Sequence, residues 1–565
     1  MCGIIGLVGS FNHYDVLLKG LKRLEYRGYD SSGIGYLNKD GIVINKYPES
    51  VDTLIKEVKK FTAYCSIGHT RWATHGKVSY KNTHPFISKN GLFCLIHNGT
   101  INNFLTLKEE LISNGYIMNG DTDSEVLVNY LEYLFLNNHN ILLSLKLLDS
   151  KLDGSYSLVI ISKNEEALYF LKNQTSLLLI EKEEGYVLTS DVYSLDDKEI
   201  NFYEFEDHQY GKIDNNVEIY KNDIKISHNF KRLIKDDVNI NSCSCYLEKE
   251  LFECPSLIEK EIQYYSKSES IPQNVINELN SKRKIYVIGC GTSFHAGLIF
   301  KEIVDKEVEV ILASEFIYQN KSLNENDGYI FISQSGETLD VIRSIEKVKN
   351  AFFISITNNK DSTISRKSKY HFDIMVQKEI SVASTKAYFG EVVFLYILAK
   401  RMNDENYKEI FDLPFRMNQI KSNIKEIESL AYQVKEYKNL LFLGKGIDYL
   451  SCLECSLKLK EITYIHSEAI YLGELKHGPL ALINKDFPSI ILITNDELKE
   501  IEEISINEIK SREGKVFIKQ FDSSYKLSFL LQVYYYDFLA FLVAKNLGVN
   551  IDKPRNLAKS VTVEW

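Results

Sequence analysis

The run Lys284-Ile285-Tyr286-Val287-Ile288-Gly289-Cys290-Gly291-Thr292-Ser293 decides the architecture of the longer half of the chain. Its continuous apolar stretch is too short for a helix and does not alternate, so it reads as a strand buried on both faces. The glycines and hydroxyls that follow read as a tight turn into a helix N-terminus. Outward from it, similar strands recur at Val308–Leu312, Tyr329–Ile332, Phe352–Ile356 and Phe372–Val376, with a long helix near Ser384–Met402. Buried strands alternating with helices predict a doubly wound parallel sheet. A like series begins at Leu440–Leu443 with Gly444-Lys445-Gly446, continues through Ser489–Ile493 and Val516–Ile518, and ends in a helix over 528–547. It reads as a weak internal repeat of the first.

Toward the N-terminus the apolar segments are short and strand-like: Ile4–Val8, Phe93–Ile96, Tyr156–Ile161, Leu168–Leu171, Leu177–Ile180 and Tyr186–Leu188. Thr106 with Glu109, and Thr122 with Glu125, have capping-box spacing ahead of helical repeats. Strands in blocks with segregated helices predict an α+β layered domain. The division expected is therefore an α+β domain over 1–225, a linker over 226–248, two α/β doubly wound domains over 249–405 and 406–548, and a tail over 549–565.

Composition narrows the function. The 565 residues are 44% hydrophobic and 25% charged, ordinary for a globular protein and against disordered or fibrous classes. A net charge of −10 gives no footprint for nucleic acid, so an anionic substrate must meet local positive charge. Nine scattered cysteines make no disulfide framework, and Cys452-Leu-Glu-Cys455 has no second pair to complete a zinc site, so no metal is expected. Met1 to Gly9 lacks a basic n-region, which points to the cytosol. Phe529–Val549 carries Gln532, Asp537 and Lys545 and reads as a core helix, not a membrane span.

Cys2 becomes the first residue if Met1 is removed, and its α-amine, with a pKa of about 7.7–8.0, then serves as base for its own thiol. A small buried Cys opening a strand is the plainer alternative. His97-Asn98-Gly99 ends a strand where a side-chain amide and a backbone N–H can hold an oxyanion, although Asn-Gly is also a common turn. Arg71 suits a carboxylate and Asp123 an ammonium group, or they are a surface Arg and a helix-dipole carboxylate. Together these groups suit a free amino acid with a side-chain amide. Farther along, hydroxyls at Thr292, Ser293 and in Ser333-Gln334-Ser335-Gly336-Glu337-Thr338 fall where strand ends meet helix starts, which suits either a phosphate or ordinary capping. Ser384 and Thr385 start a third helix in the same way. Lys458 and Glu461 lie three apart on a helix, as a solvated ion pair or a proton-transfer pair. His477 has a suitable pKa for ring opening, or is simply an exposed loop histidine.

Met-Cys-Gly-Ile-Ile-Gly, Leu24 to Gly33, Thr70-Arg71-Trp72-Ala73-Thr74-His75-Gly76, His84-Pro85 and His97-Asn98-Gly99 resemble the class II glutamine amidotransferase domain of the glutamine:fructose-6-phosphate aminotransferases. Cys290 to Ser293, Ser333 to Thr338, Val382 to Lys386, Gly473 to Pro479 and the tail Pro554 to Glu564 resemble the two sugar-isomerase (SIS) domains of the same family. The resemblance implies an N-terminal-nucleophile (Ntn) hydrolase glutaminase domain, layered as two sheets between helices, followed by two α/β SIS domains. It implies Cys2 as nucleophile, Asn98 and Gly99 as oxyanion hole, and Arg71, Trp72, Thr74, His75, His84 and Asp123 around glutamine, with Trp72 as the ammonia gate and Arg27 beside the nucleophile. In the sugar half it implies that Thr292, Ser293, Ser333, Gln334, Ser335, Thr338, Val382 and Ser384 bind sugar and phosphate. Glu461 is then the acid/base beside Lys458, Lys559 forms a Schiff base, and His477 arrives from a neighbouring subunit to open the ring. The implied activity is glutamine-dependent conversion of fructose 6-phosphate to glucosamine 6-phosphate, with internal ammonia transfer, no cofactor and at least a homodimer. A sugar-phosphate sensor or an uncoupled glutaminase is the alternative. Trp565 and Ile380-Ser381 depart from the family pattern, and residues 200–250 match it poorly.

Overall fold

The strand Gly3–Gly9 is apolar at every position from Ile4 to Val8 because both its faces are covered. Ile4 and Val8 pack with Cys65, Ile67, Ile96, Val159 and Phe170 between two sheets, whereas Ile5 and Leu7 pack with Leu17, Leu21 and Leu24 of the helix His13–Leu24. The computed structural model describes the chain except residues 1, 73–76, 236–239, 241, 320–323, 325, 349, 495–498 and 560–565. It divides into two units, Met1–Asp237 and Val238–Lys559.

The first unit holds two antiparallel sheets. One has eight strands in the order Lys231–Ile234, Glu199–Glu204, Leu178–Lys182, Gly185–Thr189, Gly3–Gly9, Cys65–Arg71, Ser31–Asn38, Gly41–Tyr47. The other has seven, in the order Ile224–Lys225, Val217–Lys221, Gln209–Ile213, Leu168–Asn173, Gly154–Ser162, Phe93–Ile101, Phe86–Ile87. Leu95, Leu158 and Ile160 turn away from the first sheet onto the helices Phe104–Ser113, Asp123–Asn138 and Ile141–Lys151. The order helix, sheet, sheet, helix is the layering expected. Neither capping box forms: Thr106 lies inside a helix already begun at Phe104, and Glu125 accepts instead from Asn119 N and Gly120 N. Residues 231–234, inside the stretch expected as linker, form an edge strand paired with Glu199–Phe202. Its side chains are mostly exposed, which is why its composition reads as irregular.

In the second unit two parallel sheets repeat one design. The first has the order Val308–Leu312, Ile285–Gly289, Gly328–Ser333, Phe352–Thr357, Tyr370–Asp373. The second has His466–Tyr471, Asn439–Gly444, Ser489–Ile493, Val516–Gln520. In each, the first strand in sequence lies between the second and the third, so the order reverses beside it. Ligands of open parallel sheets bind at such a reversal, off the C-terminal strand ends. Ile285 and Val287 face one core and Tyr286 and Ile288 another; Leu440 and Phe442, then Leu441 and Leu443, divide in the same way. The core reached by Val287 and Phe442 is continuous, and it includes the helices Tyr246–Tyr265, Lys386–Met402, Ile447–Thr463 and Ser528–Leu547. Among the described residues no helix is long and apolar enough to cross a membrane.

Candidate functional site

Strand alternation assembles the first site. Ile4 and Val8, Cys65 and Ile67, and Ile96 all point into the layer between the sheets. By parity Cys2, His69, Arg71 and Asn98 point into the same layer, at one end of it. The register Gly3 to Thr70 and Ile4 to His69, continued by one residue, brings Cys2 to Arg71. Cys2 Sγ accepts from Trp72 N at 3.2 Å, and Asn98 Nδ2 donates to the Cys2 carbonyl at 2.9 Å. Arg27 Nε donates to that carbonyl at 3.4 Å, while Arg27 Nη1 is held by Asp191 at 3.0 Å. Gly99 sits at φ +128°, and a Cβ there would lie 1.9 Å from Ser155 O on the neighbouring strand. Only glycine fits there, because any side chain would push the paired strands apart beside Asn98.

The residues expected to clamp an amino acid lie alongside. Burial lowers the pKa of the Arg71 guanidinium, and charges on Cys2, Asp123 and Asp30 oppose that shift, so thiol and carboxylate stand near one cation. Asp123 is buried at the first turn of its helix, where its carboxylate accepts from Ile101 N at 3.1 Å and from Ser124 Oγ at 3.2 Å. Ser124 Oγ bridges His97 Nδ1 at 3.0 Å and His84 Nε2 at 3.3 Å. Trp72 packs edge-on against Tyr29, with centroids 5.6 Å apart. Thr74 and His75 lie outside the described residues.

The second site occupies the reversal beside Ile285–Gly289. Gly291, at φ 53°, turns the chain into the helix Thr292–Ile303. Across the crevice Ser333 Oγ and Thr338 Oγ1 are 2.9 Å apart, Gly336 N donates to Ser333 Oγ, and Glu337 N donates to Ser335 Oγ at 3.1 Å. Ser335, Gln334 and Thr338 are partly exposed at the mouth. Hydroxyls and N–H groups at a helix start make an anion cradle. Gly336 has φ +67°, and its missing Cβ would fall 2.0 Å from Ser362 Oγ, so the loop closes only on glycine.

The groups expected to move protons are brought to the same crevice. Lys458, read from spacing as part of a surface pair, is 2% exposed. Its Nζ contacts Glu461 at 2.8 Å, Thr292 Oγ1 at 3.1 Å and Glu454 at 3.4 Å. Burial works to lower its pKa, but Glu461 and Glu454 outweigh that and the net shift is upward, so it stays an ammonium. Thr292 donates to Glu454 at 3.0 Å and accepts from Lys458, which leaves one lone pair for a substrate hydroxyl. Ser293 gives its proton to the buried Glu391 at 2.8 Å, so its oxygen too is left as an acceptor. Burial pushes Glu391 up to about 8.

Lys559 Nζ lies 2.5 Å from Glu379 and 3.3 Å from Ser384 Oγ. Burial would raise Glu379, yet Lys559 holds it below the ordinary carboxylate range. Val382 N donates to Asp552 O at 3.0 Å, and the Asp552 carboxylate caps the helix Tyr246–Tyr265 through Tyr246 N and Leu247 N. That ties the tail to the Ser384 loop. His477 is exposed in a short turn, Leu472–His477, with no contact to Glu461 or Lys559 among the described residues.

Sequence reasoning missed His69, Glu379, Glu391, Glu454 and Asp552. Glu454 was findable, being one turn before Lys458 on the same helix. Glu379 and Asp552 act across long separations and carry no local signal.

Similarity to known proteins agrees with both units. The model of a glutamine amidotransferase domain matches residues 69–197, and that of the SIS domain matches 278–401 and 433–518. The chain is 36% identical over 617 residues to a glutamine–fructose-6-phosphate aminotransferase (isomerizing) of Caldanaerobacter subterraneus, and 35% identical over 603 to that of Listeria monocytogenes, with all of each chain covered. The solved C-terminal domain of the aminotransferase from Francisella tularensis matches 56% of this chain and all of its own, at 27% identity and a TM-score of 0.50. With both units and the full length accounted for, the chain belongs to the glutamine–fructose-6-phosphate aminotransferase (isomerizing) family.

Proposed function

We propose that the chain hydrolyses glutamine at Cys2 and uses the ammonia, passed internally, to convert fructose 6-phosphate into glucosamine 6-phosphate. One observation carries the reading. A thiol with a side-chain amide 2.9 Å from its own carbonyl stands in one unit, and a lysine–glutamate pair beside a hydroxyl-lined crevice stands in the other. With Met1 removed, the Cys2 amine takes the thiol proton and Sγ attacks the glutamine amide carbon. Asn98 Nδ2 and Gly99 N receive the oxyanion, Arg71 holds the carboxylate and Asp123 the ammonium. The amine returns the proton to the departing ammonia, and water then frees glutamate from the thioester.

In the sugar crevice the loop Ser333–Thr338 takes the phosphate, and His477 of a second subunit opens the ring. Lys559, oriented by Glu379, passes its protons to the C2 carbonyl oxygen as Nζ bonds to C2, and that oxygen leaves as water while a protonated imine forms. Ammonia displaces the lysine. Glu461 then takes a proton from C1 and delivers one to C2, with Lys458 holding its carboxylate. A mere ketose isomerase has no use for a buried lysine in the tail. The contribution of His477 by a second subunit makes the working form at least a homodimer.

The test is the ratio of glutamate to glucosamine 6-phosphate formed from glutamine and fructose 6-phosphate, with Cys2→Ala as control. A ratio near one that is lost in the variant is the expected result. Full glutamine-dependent synthesis by Cys2→Ala refutes the reading, and glutamate without amino sugar leaves an uncoupled glutaminase.

A further inference from the structure

Three histidines line the glutaminase site without touching Cys2, and one of them bears directly on the oxyanion amide. His69 Nε2 lies 3.1 Å from Asn98 Oδ1 and 3.0 Å from the His97 carbonyl. The His97 carbonyl can only accept, so Nε2 carries the proton. Its other nitrogen, Nδ1, is buried with no hydrogen-bond partner among the described residues, which suits a bare lone pair and not a second N–H. The ring is clamped by stacking on His84, centroids 3.9 Å apart and planes 19° apart. His84 is fixed in turn, because its Nδ1 accepts from His97 N at 3.3 Å and its Nε2 faces Ser124 Oγ.

An amide has an acceptor end and a donor end, and nothing in its shape chooses between them. With Nε2–H of His69 on one side, the acceptor Oδ1 must face His69. The donor Nδ2 is thereby turned toward Cys2, as its 2.9 Å bond to the Cys2 carbonyl shows. We infer that His69 is a positioning residue for glutamine hydrolysis, holding the Asn98 amide with its N–H toward the oxyanion. Burial pushes His69 down to about 3, so it remains uncharged and adds no cation of its own to the site. The inference rests on the reading of Cys2 and Asn98 as glutaminase machinery.

The experiment compares His69→Leu and His69→Gln in the full-length protein. Gln carries an N–H at the end of its side chain that can reach Asn98 Oδ1, whereas Leu fills the space with no donor. Glutamate release is measured for kcat and KM, and the reactivity of Cys2 is followed separately as mass gain of the N-terminal peptide with iodoacetamide. Alkylation develops no oxyanion, so it reports an intact, accessible thiol alone. His69→Leu is expected to lose about 10²-fold in kcat, the range for one oxyanion donor, with KM and alkylation nearly unchanged. His69→Gln is expected to recover most of that loss. Wild-type kcat in His69→Leu, or equal loss in His69→Gln, overturns the inference, as does a loss matched by slowed alkylation. No glutamate from the wild-type protein removes the underlying glutaminase reading, and this role with it.

Discussion

Replacing Gly99 by alanine is the sharpest perturbation of the first site, because the structure sets its size. The residue sits at φ +128°, and the added Cβ would be 1.9 Å from Ser155 O, 2.6 Å from Ser155 C and 2.9 Å from Tyr156 Cα. All three atoms are backbone of the adjacent strand Gly154–Ser162, so no side chain can swing aside. Reaching even 3.0 Å requires the two strands to part by about 1.1 Å at this point, and a displacement of about 1 Å in a positioned group costs on the order of 10²-fold in rate. Asn98 moves with Gly99, so both groups proposed as oxyanion donors are misplaced together. The control is Gly115→Ala, also at positive φ (+79°) but with nothing within 4 Å of the added Cβ. It carries the backbone strain without the displacement. Glutamate release should fall by about 10²–10³-fold in Gly99→Ala and stay near wild type in Gly115→Ala. Amination of fructose 6-phosphate from added ammonia should persist in both. Gly99→Ala with kcat within about three-fold of wild type would mean that this strand end does not form the oxyanion wall.

Lys559→Arg keeps a cation opposite Glu379, but a guanidinium cannot lose its proton to become an imine-forming amine. Sugar amination should fall by about 10³-fold or more with glutamate release retained, and product assays on the two half-reactions check it. Asp552→Ala removes the acceptor for Tyr246 N and Leu247 N and should cost roughly 0.5–2 kcal/mol of local stability, read as faster hydrogen exchange at residues 246–249. Acid should loosen the first unit. His69 titrates at about 3 when folded against 6.5 ordinarily, so the unfolded chain binds the extra proton between those values. Its stabilisation is complete above 6.5 and declines as pH falls toward 3, by about 2 kcal/mol between pH 7 and 5, and buried His84 and His97 shift in the same direction. Urea unfolding followed at Trp72 in a Trp565→Phe background measures it, and an unchanged midpoint between pH 7 and 5 would refute it.

The strands that were legible are those that meet apolar neighbours on both sides. Ile285–Gly289 and Ser489–Ile493 are buried throughout and Gly154–Ser162 at every position after Gly154, and composition alone marks them. Ser31–Asn38 and Cys65–Arg71 are equally buried, yet they read poorly because their glycines, serines and His69 and Arg71 serve close approach and the site instead of the core. His466–Tyr471 was missed because it is an edge strand with exposed alternate residues. At the sites, motif residues were legible and their partners were not. Lys458 looked like half of a surface pair since spacing along one helix cannot report that Thr292 closes over it from another domain. Likewise Asn98 was visible, but the residue that chooses which way its amide points comes from a different sheet.

The duplicated halves of the second unit explain why one crevice suffices. Gly291 and Gly446 adopt nearly the same turn, with φ, ψ of 53°, −125° and 57°, −130°, each at the reversal of its sheet. In the first half the groups across the reversal, Ser333 to Thr338, face an open mouth. In the second half Asp448 fills the corresponding place, accepting from Thr494 N at 2.9 Å and from Thr494 Oγ1 at 2.7 Å. An internal carboxylate already occupies donors that would otherwise greet a phosphate, and its charge repels another anion. The second half is left to supply acid–base groups. Its helix Ile447–Thr463 extends Glu454, Lys458 and Glu461 toward the first half's crevice, where Thr292 bonds both Glu454 and Lys458. On the proposed function one copy of the fold would hold the phosphate while the other brings the proton-transfer groups to it, so loss of either set of contacts should disable the same reaction.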